Sequence, residues 1–163
     1  KSKQMIFTLN LVMIGLLFSI FYEDMKERKV TLMNLLLLIV IGGFIHSHNQ
    51  YLEAFLISSI LNLSIVLIIL GLLFFYAMFK LNTSLFLVFG IGDGLFFIVM
   101  ALSFPTTTFV VLLLSSFIFS LIISLLFKKK LKQLIPLAGL QALFTGITIG
   151  TNQLFHCIDL YTF

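Results

Sequence analysis

A chain of 163 residues with 61% hydrophobic and 10% charged residues cannot cover a water-soluble surface, which takes roughly 25% charged residues. Its net charge of +4 does not mark a nucleic-acid binder, because the basic residues sit in short runs between apolar stretches, where membrane topology places them. The single cysteine, Cys157, excludes an intrachain disulfide and a four-cysteine zinc site. The expected class is an all-α, polytopic transmembrane bundle forming one domain over residues 1–163.

Six spans are expected in chain order: Met5–Tyr22, Leu32–Ile45, Ala54 to about Phe79, Leu85–Phe104, Thr108–Phe127 and Leu134–Phe155. The second is short for a bilayer, so its ends are expected partly in protein or at the interface. The third is long enough to tilt. Met5–Tyr22 has lysines before it but no small-residue cleavage site, so it is read as a span and not as a signal peptide. The loops after the odd-numbered spans hold Lys26, Arg28, Lys29, Lys80, Lys128, Lys129, Lys130 and Lys132, against only Lys1 and Lys3 on the other side. The positive-inside rule then puts the odd loops in the cytoplasm and both termini outside. Lys128, Lys129, Lys130 and Lys132 also suit anionic lipid headgroups.

The chemistry lies with the acids. Glu23, Asp24 and Glu27 close the first span, and Asp93 lies in Phe89-Gly90-Ile91-Gly92-Asp93-Gly94-Leu95, with no charged neighbour within ten residues. An ionisable side chain in an apolar segment is costly and needs a partner or a wet cavity. The topology presents Asp24 and Asp93 at one face of the membrane. Two carboxylates meeting there would share a proton, with one activating water and the other donating toward a scissile carbonyl. Gly90, Gly92 and Gly94 clear space for an extended substrate backbone and let the helix start irregularly. The plain alternative for Asp93 is a buried acid paired with Lys80, and for Asp24 a solvated loop of mixed charge.

Other signals are weaker. His46 and His48 form no three-ligand metal set and read as an exposed polar loop. His156 and Cys157 read as interfacial residues. Gly42-Gly43, Ser58-Ser59, Asn62 and Ser64 suit close helix contact. The glycines around Asp93 lack the strand–turn–helix setting of a nucleotide loop.

Asp24-Met25-Lys26-Glu27-Arg28-Lys29-Val30 resembles the first catalytic motif of type IV prepilin peptidases, an Asp at a helix end followed by basic residues and an aliphatic one. Gly90-Ile91-Gly92-Asp93 resembles their Gly-x-Gly-Asp motif. Ile135-Pro136-Leu137-Ala138-Gly139 is similar to the proline-containing start of their last helix. The family's usual Lys two residues after the second Asp is Leu95 here, and its Pro-Asn after the first motif is Thr31-Leu32. The resemblance implies an inner-membrane aspartyl endopeptidase with Asp24 and Asp93 catalytic. It also implies that Gly90, Gly92, Gly94, Lys26, Arg28 and Pro136 meet a pilin-like precursor. No metal or cofactor is implied. The cysteine-bearing methyltransferase domain of many members is not in this sequence, so methyl transfer is not expected. The rivals are a non-catalytic assembly scaffold, a presenilin-like protease sharing Gly-x-Gly-Asp, and a small transporter using Asp93. The transporter is the weakest, since Ser103 is the only polar side chain between Gly94 and the end of that span.

Overall fold

The computed structural model describes residues 2–81, 90–126, 136–155 and 160–161. The chain is all-helical: α1 Ser2–Glu27, α2 Leu32–Asn49, α3 Leu52–Tyr76 with a π-helical turn Ala77–Leu81, α4 Ile91–Ser103, α5 Thr106–Leu126 and α6 Leu137–Phe155. Lys128, Lys129, Lys130 and Lys132 lie outside the described residues, as do Leu85–Phe89, Phe127, Leu134, Ile135, His156, Cys157 and Asp159, and the side chain of Lys80.

Each boundary has a local cause. Arg28, with φ 53°, ends α1 in the left-handed region, a common way for a helix to stop. Both prolines open helices, where a missing N–H costs nothing. Phe109 N–H donates to the Pro105 carbonyl at 2.8 Å, and Leu140 N–H to the Pro136 carbonyl at 3.2 Å. Phe104, before Pro105, is extended at φ −136°, ψ 150° and so ends α4.

Among the described residues four helices, α1, α2, α3 and α5, are long and apolar enough to cross a membrane. The remaining two expected spans correspond to α4 and α6, which adjoin residues outside the described ones. The described part of α4 has 13 residues, about 20 Å of helix. The last helix carries Gln141, Thr145, Thr148, Thr151, Asn152 and Gln153 and is too polar to qualify. Conversely, α2 runs 18 residues to Asn49, longer than the expected Leu32–Ile45. His46 is not in an exposed loop: it is fully buried. Its Nδ1 lies 3.0 Å from the Leu102 carbonyl and its Nε2 3.3 Å from Ser58 Oγ. Its ring packs against Phe55 in a T-shaped arrangement.

The pattern of exposure is that of a protein solvated by lipid. Leu67, Ile68 and Leu72 of α3 and Val111, Leu114, Ile118, Leu121 and Leu125 of α5 face outward. Ser58, Ser59, Asn62, Ser103, Ser116, Ser120, Gln141 and Thr145 are buried. Small and polar groups inside, with branched apolar ones outside, let helices approach closely without exposing hydrogen-bonding groups to hydrocarbon. At the α2–α4 crossing, a Cβ on Gly42 would overlap Ser103. Phe96, Phe97 and Met100 of α4 fill the centre together with Met13, Leu17 and Ile20 of α1. The polar α6 packs most extensively against α1, and also against α5 and α4.

Candidate functional site: two aspartates at one helix end

The site begins with an architectural need. The first turn of a helix leaves backbone N–H groups without partners inside the helix. Usually a Ser, Thr, Asp or Asn just before the helix accepts from them. Before α6 stands Pro136, which has no such side chain. The donors are taken up from two other helices. Ala138 N–H donates to Asp93 Oδ1 at 2.7 Å, and Gly139 N–H donates to Asp24 Oδ2 at 2.7 Å. Consecutive peptide nitrogens of one chain thus hold the two carboxylates, and the positive end of the α6 dipole faces both.

Three local features deliver the acids there. Asp24 is in the last turns of α1 and is buried, with 7% of its surface exposed, so it is not part of a solvated loop. Gly139 has to be glycine for Asp24 to sit so close, since a Cβ at that position would lie 2.9 Å from both Asp24 Cβ and Asp24 Oδ2. Asp93 is in the first turn of α4, where its Oδ2 also accepts from Gly90 N–H at 3.2 Å, the returning half of a capping box. The link between α1 and α2 is pinned by Glu23, whose carboxylate accepts from Thr31 N–H at 2.9 Å and Asn34 Nδ2 at 2.7 Å.

The other residues singled out from sequence divide into two groups. Pro136 is buried and opens α6, so it serves the site by setting the direction of the Ala138 and Gly139 N–H groups. Gly90 lies beside the Asp93 carboxylate, where a Cβ would come within 3.1 Å of Oδ2. Gly92 does not leave open space: a Cβ there would lie 3.3 Å from Val30 Cγ2. Its lack of a side chain lets the α1–α2 link press against α4. Gly94 lies in a regular helical turn, with its N–H donating to the Gly90 carbonyl at 3.4 Å. The Gly90 carbonyl also accepts from Asp93 N–H at 3.1 Å, and no described glycine has positive φ. Lys26 lines a cleft of about 430 Å³ with Tyr22, Glu23, Glu27, Lys29, Val30 and Thr31, and its Nζ sits 5.5 Å from the centre of the Tyr22 ring. Arg28 is exposed at the end of α1.

Comparison with protein families, with curated proteins and with solved structures finds no match for this chain.

Sequence reasoning missed Gly139, the backbone donors Ala138 and Gly139, and the pinning role of Glu23. A peptide N–H has no letter of its own. The one available signal was a helix start, Pro136-Leu137-Ala138-Gly139, with no capping side chain of its own. Among the described residues no group of three or more His, Cys, Asp and Glu gathers to hold a metal ion. The two carboxylates meet one helix end, each held by a backbone N–H group of α6.

Proposed function

We propose that this chain is an intramembrane aspartyl endopeptidase of the prepilin peptidase type. It removes the leader of pilin-like precursors at the cytoplasmic face of the inner membrane. The observation that carries the reading is the meeting of Asp24 and Asp93, 69 positions apart in sequence, at consecutive N–H groups of α6. In this reading the pair holds one proton between them. The ionised carboxylate takes a proton from water as that water attacks the scissile carbonyl, and the protonated one donates to the carbonyl oxygen. The α6 backbone holds both carboxylates through adjacent N–H groups.

The surroundings suit such a substrate. Lys26, Arg28 and Lys29 stand at the acid end of the bundle, which supports the cytoplasmic assignment by the positive-inside rule. The cleft lined by Tyr22, Glu23, Lys26, Glu27, Lys29, Val30 and Thr31 carries both acidic and basic side chains, groups that can pair with a polar leader of mixed charge.

The experiment is cleavage of a pilin-like precursor by the purified protein in proteoliposomes, with the products mapped by mass spectrometry. The wild type is expected to cut once, ahead of the precursor's hydrophobic helix. Asp24→Asn or Asp93→Asn is expected to abolish the cut while the protein still inserts and folds. Undiminished cleavage by either variant would refute the reading.

A further inference from the structure

One turn into the bundle from the aspartates lies a polar side chain that the fold does not use. Gln141 is fully buried, and neither its Oε1 nor its Nε2 has a hydrogen-bond partner. Buried polar groups are nearly always paired, and the lipid-facing setting offers no water from the outside. A side chain kept there at such a disadvantage calls for a partner that comes and goes.

Its position follows from helix geometry. Ala138, Gln141 and Thr145 are spaced three and four apart, so they form one stripe on α6. Both ends of that stripe touch α4: Ala138 N–H bonds Asp93, and Thr145 Oγ1 lies 3.5 Å from Met100 Sδ. Gln141 sits between them, about 4.5 Å along the axis from Ala138. Side chains on a helix lean toward its N-terminus, which here means toward Ala138, Gly139 and the two carboxylates.

A primary amide offers two N–H donors and one carbonyl acceptor. That is the complement of a peptide unit, which offers one carbonyl and one N–H. Resting on the peptidase reading above, we propose that Gln141 binds the substrate backbone. Its Nε2 donates to the carbonyl, and its Oε1 accepts from the N–H, of a peptide group flanking the bond that Asp24 and Asp93 cleave. The same contact explains how an extended segment is held at the correct depth: the amide lies below the acids and so selects a chain that has already entered the bundle.

The test pairs activity with stability. Gln141→Leu removes both hydrogen-bonding groups at nearly constant volume. It is expected to lower kcat/KM about 10- to 100-fold, as two lost neutral hydrogen bonds would. Its melting temperature is expected to hold or rise, because an unpaired buried amide has been replaced by an apolar group. Gln141→Met is measured alongside and carries the same test should the leucine variant fail to insert. A synthetic precursor in which the amide on either side of the scissile bond is replaced in turn by an ester completes the cycle. One of these esters is expected to slow the wild type and to add little to the defect of Gln141→Leu.

Wild-type cleavage by Gln141→Leu overturns the inference. So does a joint fall of activity and melting temperature with full sensitivity to both esters, which is the behaviour of a structural amide. Loss of cleavage in Asp24→Asn and Asp93→Asn beside full activity in Gln141→Leu removes this inference alone. Cleavage that survives in the aspartate variants removes the peptidase reading and this inference with it.

Discussion

The two ends of α4 are tied to their neighbours by different chemistry. At the C-terminal end the partners are neutral and deeply buried. Asn62 Nδ2 donates to the carbonyls of Ala101 and Phe104, each at 2.9 Å, and His46 meets the carbonyl of Leu102. At the N-terminal end the tie uses acids: Asp93 of α4 accepts from Ala138 N–H of α6, and the next N–H of α6, of Gly139, donates to Asp24 of α1. A membrane bundle has to satisfy its helix ends, and the Asn62 end shows that an uncharged amide suffices. At the start of α6 two carboxylates take up two orphan N–H groups. Placing like charges together opposes stability, a cost that the uncharged Asn62 end does not carry.

That contrast breaks most visibly at the acids. Replacing Asp93 by Asn keeps an oxygen to accept from Ala138 N–H. Its stability in detergent is expected to change by no more than about 1 kcal/mol, the size of a charge–helix-end interaction. Precursor cleavage is expected to fall about 100- to 10,000-fold, the range for loss of a general acid or base. A large loss of stability without selective loss of cleavage would make the acids mere caps, as in a non-catalytic scaffold. Next in size is Gly139→Ala. Its Cβ would press on Asp24 at 2.9 Å and shift that carboxylate. Misplacement of a reacting group by about 1 Å costs on the order of 100-fold, so kcat is expected to drop at least about 10-fold with the protein still folded.

The neutral end gives the converse result. Asn62→Leu leaves the carbonyls of Ala101 and Phe104 without their side-chain donor. Stability to denaturant is expected to fall by about 2 kcal/mol, while kcat/KM per folded molecule stays at the wild-type value. A selective effect on cleavage would erase the distinction between the two ends. The smallest effect is at the close of α1. Arg28 holds φ 53°, a conformation that costs a side-chain-bearing residue about 1 kcal/mol or more and a glycine almost nothing. Arg28→Gly is therefore expected to raise the melting temperature slightly.

The apolar helices were legible from composition, and Asp93 stood out because a lone acid in a hydrophobic run is costly, whereas Asp24 stood out only through its placement on the same side as Asp93. The misreadings share one cause, which is that polarity along the chain does not tell where a group finds its partner. His46 and its polar neighbours Ser47, His48 and Asn49 read as a loop, yet α2 continues because His46 meets Leu102 and Ser58 from other helices. Glu23 reads as part of a solvated cluster, yet its carboxylate is bound by the Thr31 N–H beyond its own helix. The glycines at 90 and 92 stand out along the chain, but only packing shows that one serves Asp93 and the other Val30. Gly139 and the α6 backbone donors become visible only when three helices are assembled.

The central claim is that Asp24 and Asp93 work as one unit. A double-mutant cycle addresses it directly, with kcat/KM measured on one precursor for Asp24→Asn, Asp93→Asn and the double variant. Residues acting as a unit are grossly non-additive, so the double variant is expected to be no slower than the worse single variant. Losses that multiply, or a single variant as fast as the wild type, would contradict it.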